Sequence, residues 1–133
     1  MRDVFADTSF YVALVNVRDA LHEKATEFAR GFSGCVVTTE FVLVELGNCL
    51  ARSAHRMKFV KLVEDLRRRP SIRILAASTD LLDGGLAIYG RRADKAWSLT
   101  DCISFVVMEQ MGLSEALTAD RHFGQAGFTV LLA

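Results

Sequence analysis

Five short apolar runs alternate along the chain with longer segments whose apolar residues recur at helical spacing, and this alternation narrows the possible folds more than any other feature. The runs are Val4-Phe5-Ala6, Cys35-Val36-Val37-Thr38, Ile72 to Leu75, Ala116-Leu117 and Phe128 to Leu132. Strands separated by helices pair in parallel through right-handed crossovers. The pattern therefore predicts an α/β fold, a three-layer α/β/α sandwich around a central, mainly parallel five-stranded sheet. The 133 residues match the size of one domain, typically about 100–150 residues, so 1–133 reads as a single unit. An apolar fraction of 51% is enough to form a core and excludes a disordered chain.

Local signals place the helices. Asp7-Thr8-Ser9 suits a helix start after the first strand. Ala20 to Phe32 carries the stripe Leu21, Ala25, Phe28 and Phe32, which predicts an amphipathic surface helix. Glu40 to Ala51 is apolar nearly all round and predicts a helix buried on several sides. Met57 to Arg68 turns Phe59, Leu62, Val63 and Leu66 inward, and Pro70 stops it. Leu81 to Tyr89 predicts a helix despite Gly84-Gly85, a pair costing about 2 kcal/mol relative to alanines. Ser98-Leu99-Thr100-Asp101 has the form of a capping box, opening a helix over Ile103 to Met111. A helical turn over Arg121 to Gln125 precedes the last run.

Charge and cysteine content remove several function classes. Lys plus Arg and Asp plus Glu number sixteen each, so no global field attracts nucleic acid or an anionic membrane, and any nucleic-acid site must be local. Cys35, Cys49 and Cys102 are odd in number, far apart and outside any CxxC pair, which argues against a disulfide framework and a zinc knuckle. All three sit among aliphatic neighbours and read as buried thiols. With neither a secretory leader nor a membrane-length apolar run recognisable, the expected location is the cytoplasm.

Four carboxylates stand out from the acids on polar faces. Asp7 and Asp120 follow the first and fourth strands directly, where ligand crevices of open parallel sheets lie. Glu45 stands inside an apolar helix with no Lys or Arg three or four residues away, and Asp101 opens another apolar helix. Asp7, Asp101 and Asp120 have a plainer use as helix caps, and Glu45 one in a buried ion pair. If they converge instead, the repulsion is large. Two charges about 4 Å apart repel by about 4 kcal/mol at an effective dielectric of 20, against a total stability of about 5–15 kcal/mol. A divalent cation resolves this. Oxygen ligands without Cys or His at ligand spacing point to Mg²⁺ or Mn²⁺ rather than zinc.

Asp7-Thr8-Ser9, Glu45 in its apolar helix, Leu99-Thr100-Asp101 and Thr118-Ala119-Asp120-Arg121-His122-Phe123, taken in order, resemble the PIN-domain ribonucleases, VapC-type toxins in particular. The resemblance spans essentially the whole chain. It implies a Mg²⁺- or Mn²⁺-dependent endoribonuclease acting on single-stranded RNA, a homodimer, and a cognate antitoxin protein that blocks the site. Carried over residue by residue, the catalytic and metal-holding quartet falls on Asp7, Glu45, Asp101 and Asp120. Thr8, Ser9 and Thr118 match supporting polar positions, and His122 supports the loop of Asp120. Asp94, the only further acid near Asp101, is not assigned to the site. Cleavage is expected to leave a 5′-phosphate and a 3′-hydroxyl.

A cation held by Asp7, Asp101 and Asp120 polarises a phosphodiester and activates water for in-line attack, while Glu45 either holds a second ion or orients that water. Arg91, Arg92, Lys95 and Trp97 combine cations with an aromatic ring, the mixture that grips single strands. Arg52, His55, Arg56, Lys58 and Lys61 read as a solvated helix face, and His22 also as solvent-facing. A phosphoacceptor domain shares this sheet but needs an acidic pair after the first strand and another Asp after a later one, which Asp7 alone and Thr38-Thr39 do not supply. The alternative in keeping with the resemblance is a catalytically degenerate PIN-like module that binds RNA or a partner protein without cleaving.

Overall fold

The computed structural model describes residues 2–52 and 54–133. The strands are β1 (Asp3–Ala6), β2 (Cys35–Thr39), β3 (Ile72–Leu75), β4 (Glu115–Leu117) and β5 (Thr129–Val130). Between them lie α1 (Thr8–Val15), α2 (His22–Gly31), α3 (Glu40–Cys49), α4 (Arg56–Arg68), α5 (Thr79–Arg91), α6 (Leu99–Met111) and α7 (Arg121–Gln125). These elements give the expected α/β/α arrangement. The last strand is shorter than its apolar run, although Leu131 and Leu132 still donate backbone hydrogen bonds to the carbonyls of Ala116 and Thr118.

All four strand pairs are parallel, in the order β3-β2-β1-β4-β5. The chain builds outward from β1 through β2 to β3, then returns to pair β4 on the other side of β1. With right-handed crossovers, α1 to α4 cover one face and α5 to α7 the other. The direction of travel reverses between β1 and β4, in register Phe5 to Ala116 and Ala6 to Leu117. A crevice opens past the carboxyl ends of the strands at such a reversal. The residues that follow these two strands, Asp7 and the segment Thr118 to Asp120, therefore face one another.

The core is centred on β1, with Val4, Phe5 and Ala6 fully buried, and is mostly aromatic beneath α6 and α7. Phe105 meets Trp97, Phe123 and Phe128 with ring centroids 5.1, 5.0 and 5.7 Å away. The Gly84-Gly85 pair has a packing reason. A Cβ on Gly85 would lie 2.4 Å from Ile103 Cγ1 and 3.1 Å from the Ile103 nitrogen, so its bare backbone lets α5 lie close against α6. Ser78 caps α5 by accepting from the Leu81 N–H at 3.1 Å, and the helix runs two residues beyond the predicted span at each end. At Gly112 the chain turns left-handed, with φ of +66°, and ends α6.

Three expectations change. Helix α3 is buried on one face only, through Val42, Leu43 and Leu46, while Val44 is 63% exposed beside open grooves on both sides. Its apolar composition overstated its burial. Of the thiols only Cys102 is buried; Cys35 is half-buried, and Cys49 is exposed on that outer face of α3. His22 does not simply face solvent: half-buried, its Nδ1 lies 2.7 Å from the Ala13 carbonyl and ties α2 to α1.

Candidate active site

At the β1/β4 reversal lies a cleft of about 310 Å³ lined by Asp7, Thr8, Ser9, Glu45, Ala96, Ser98, Asp101, Asp120 and His122. The four carboxylates, separated by up to 113 residues in sequence, share this one space. β1 delivers Asp7, α3 delivers Glu45, the first turn of α6 delivers Asp101, and the loop after β4 delivers Asp120. Among the described residues, no Lys or Arg forms an ion pair with any of the four.

Asp7 is the most deeply set, at 4% exposure. It occupies the N-cap position of α1, but its side chain caps nothing, so the plainer use as a helix cap does not account for it. Oδ2 accepts a hydrogen bond from the Thr118 hydroxyl at 2.9 Å, and Oδ1 is buried without a partner of good geometry. Burial raises the Asp7 carboxyl from 3.8 to about 7. The Thr8 backbone N–H and the Thr118 hydroxyl oppose this, while the nearby charges of Asp101 and Glu45 add to it.

The polar neighbours form a relay. Because Thr118 spends its single hydroxyl proton on Asp7, Ser9 must donate to Thr118 Oγ1 across their 3.0 Å contact. Ser9 Oγ in turn accepts from the Ala119 N–H at 3.3 Å, and Thr118 Oγ1 also accepts from the Asp120 N–H at 3.0 Å. Helix α1, the loop after β4 and the Asp7 carboxylate are thereby held as one unit. Thr8 plays a separate part, donating to Glu45 Oε1 at 2.5 Å. The partner of Glu45 thus comes from elsewhere in the fold, and it is a hydroxyl rather than a cation.

Asp101 and Asp120 both cap helices and line the cleft. Asp101 closes a capping box, its Oδ2 accepting from the Ser98 N–H at 3.1 Å while its own N–H donates to Ser98 Oγ at 3.0 Å. Asp120 caps α7 through Oδ1, which accepts from the His122 N–H at 2.9 Å. In each, one oxygen serves the cap, and the other makes no hydrogen bond among the described residues. Burial raises the Asp101 carboxyl above its usual range, opposed by its bonds to Ser98 and His122. His122 Nδ1 bridges the two, 3.0 Å from Asp101 Oδ2 and 3.3 Å from Asp120 Oδ1.

Of the other sequence-selected residues, Arg91, Arg92 and Trp97 line a separate groove with Phe105, Gln125 and Phe128 rather than the carboxylate cleft. Arg91 ends α5 and Lys95 follows in the loop leading to Ala96 and Ser98. Arg92 makes a two-bond pair with Asp94 at 3.0 and 3.2 Å, which keeps Asp94 out of the acidic cluster. Trp97 departs from expectation. It is 7% exposed, its edge set against Phe105, its Nε1 donating to Gln125 at 3.0 Å, and Arg92 over its ring at 4.9 Å. Large apolar area drew it into the core, leaving no free face on which a base could stack. Ser98 and Ala96 line the cleft without having been selected; the capping signal at Ser98 marked a helix start, and only the fold brings that start to the mouth.

Comparison with known proteins bears on the fold as a whole. Residues 4–129 match the PIN domain. The 23S rRNA-specific endonuclease VapC20 of Mycobacterium tuberculosis is 31% identical over 126 residues, covering 94% of this chain and 95% of that protein. The crystal structure of VapC20, described as a Sarcin-Ricin loop cleaving toxin, superposes with a TM-score of 0.86 at 29% identity, over 95% of this chain and 96% of that one. FitAcB from Neisseria gonorrhoeae shares the fold, with a TM-score of 0.67 at 19% identity over 96% and 95% of the two chains.

Proposed function

The chain belongs to the PIN-domain family, and on that premise we propose that it is a divalent-metal-dependent endoribonuclease, the toxin of a toxin–antitoxin pair. The observation that carries this reading is the buried, unpartnered Oδ1 of Asp7, set among three further carboxylates with no Lys or Arg paired to any of the four among the described residues. A buried carboxylate oxygen left without a hydrogen bond is costly, and the donor set is made for a hard cation such as Mg²⁺ or Mn²⁺. Asp7, Asp101 and Asp120 would hold the ion.

When bound, the ion supplies a Lewis acid that stabilises phosphoryl charge and lowers the pKa of water. The chain's own residues then have distinct tasks. Glu45, oriented by the Thr8 hydroxyl, accepts the proton of the attacking water. The Ser9–Thr118 relay fixes the Asp7 carboxylate, so that little reorganisation accompanies the reaction. Arg91 and Lys95 hold substrate phosphates outside the carboxylate cleft.

The first substrate to test is a ribosomal RNA loop of the kind for which VapC20 is named. The same reading carries a cytoplasmic site of action, a homodimer and an antitoxin that occludes the cleft. No helix among the described residues is long and apolar enough to cross a membrane. The decisive experiment is cleavage of a 23S rRNA-loop oligonucleotide with Mg²⁺, with Mn²⁺ and with EDTA, using wild type, Asp7→Asn and Asp101→Asn. Metal-dependent cleavage lost in both variants, with circular dichroism unchanged, is expected. Equal cleavage in all three proteins would remove the proposed site, and binding without cleavage in wild type would favour the degenerate module.

A further inference from the structure

The imidazole of His122 stands where a third donor to a cation would stand. One donor atom each from Asp101, Asp120 and His122 lie within 4.8 Å of one another. The two contacts of Nδ1, 3.0 Å to Asp101 and 3.3 Å to Asp120, set one ring nitrogen against both carboxylates.

The backbone holds the ring in this place. The His122 N–H donates to Asp120 Oδ1 at 2.9 Å, which fixes the first turn of α7 with Nδ1 turned toward both carboxylates. Without an ion, Nδ1 must carry the proton, since both neighbours accept. Nε2 makes no hydrogen bond among the described residues, so it is able to carry the ring proton once a cation between the acids takes the Nδ1 lone pair.

We propose that His122 Nδ1 is a direct metal ligand, so that the centre is a mixed nitrogen and oxygen site selective for Mn²⁺ over Mg²⁺. This deepens the metal-dependent reading above and rests on it. Mg²⁺ takes oxygen donors and sheds water reluctantly, whereas Mn²⁺ shares the preference for oxygen but, as a first-row transition ion, also accepts an imidazole nitrogen. A nitrogen among the carboxylates therefore favours Mn²⁺ at little cost to its fit.

The test uses the full chain with MnCl₂ and MgCl₂. His122→Asn keeps an amide near the Nδ1 position that still donates to Asp101 or, when flipped, offers oxygen. Mn²⁺ bound to wild type is expected to show the spin-echo nitrogen coupling of a directly bound imidazole, changed by ¹⁵N-histidine labelling and absent in His122→Asn. The Mn²⁺-to-Mg²⁺ affinity ratio, read by competition, should fall about tenfold in that variant. Mn²⁺ bound without imidazole coupling, or an unchanged ratio, overturns the assignment. If that bound Mn²⁺ is lost in Asp7→Asn, the carboxylate centre stands and only the nitrogen ligand is removed. A wild-type chain that binds neither ion overturns the metal-dependent reading as well.

Discussion

The Thr118 hydroxyl donates to Asp7 Oδ2 at 2.9 Å, a buried bond between residues 111 positions apart that ties the end of β4 to the end of β1. Thr118 has no exposure and also receives the hydrogen bonds of Ser9 and the Asp120 N–H. Thr118→Val keeps the shape and removes every one of these bonds. It is expected to lower stability by about 1–3 kcal/mol and to weaken divalent-metal binding about tenfold or more. Thr118→Ser should restore most of the metal affinity. Calorimetric titration of the three proteins with Mn²⁺ checks this, and equal affinities would show that the relay does not position Asp7.

The raised carboxyl of Asp7 gives the metal-free protein a definite pH dependence. In the unfolded chain Asp7 ionises near 3.8, and in the folded chain near 7. Between these values the folded state holds the extra proton, so stability falls as pH rises through the window and levels off above it. Asp101, raised by burial as well, contributes in the same direction. In EDTA the melting temperature should therefore drop between pH 5 and pH 7.5. Asp7→Asn should flatten much of that slope and be more stable than wild type at pH 7.5, by about 1–3 kcal/mol at roughly 1.4 kcal/mol per pKa unit. Saturating metal, at a hundred times Kd, returns about 2.7 kcal/mol to wild type and little to the variant. A slope unaltered by Asp7→Asn would contradict the burial of this charge.

Arg91 and Lys95 are separable from Trp97 by experiment. Trp97→Ala removes a core ring and is expected to cost about 3–5 kcal/mol. Arg91→Ala and Lys95→Ala should change stability by less than about 0.5 kcal/mol. Each should raise KM for an RNA oligonucleotide with kcat little changed, and flatten the dependence of KM on salt. Thermal melts and steady-state cleavage at several salt concentrations distinguish the two kinds of residue. An unchanged KM and salt slope in the double variant would place the phosphate path elsewhere.

The two adjacent glycines of α5 should respond in opposite ways to alanine. At Gly84 a new Cβ meets only Val106 side-chain carbons, at 3.3 Å, and the gain of up to about 1 kcal/mol in helix propensity offsets that crowding. At Gly85 the Cβ overlaps Ile103, whose backbone cannot withdraw, so Gly85→Ala should cost about 1–3 kcal/mol. Urea unfolding of both variants measures the difference; similar midpoints would mean that α5 and α6 have room to part.

Local chemistry was legible in the sequence. The β3 and α7 spans, the capping box at Ser98 and the stop at Pro70 depend on neighbours a few residues apart, and periodicity or a side-chain cap is sufficient to read them. The oddity of Glu45, a charge in an apolar helix with no basic residue within a turn, was legible in the same way. The pairing of β4 with β1 was not, because both are short apolar runs that could pair with any other. That pairing brings Asp7 to Thr118 and the four carboxylates to one cleft. Burial was equally out of reach of composition. Val44 and Trp97 are both large and apolar, yet one stands 63% exposed and the other 7%. Hydrophobicity states the gain from burying a side chain, whereas only the packing of elements distant in sequence decides which of them finds a place inside.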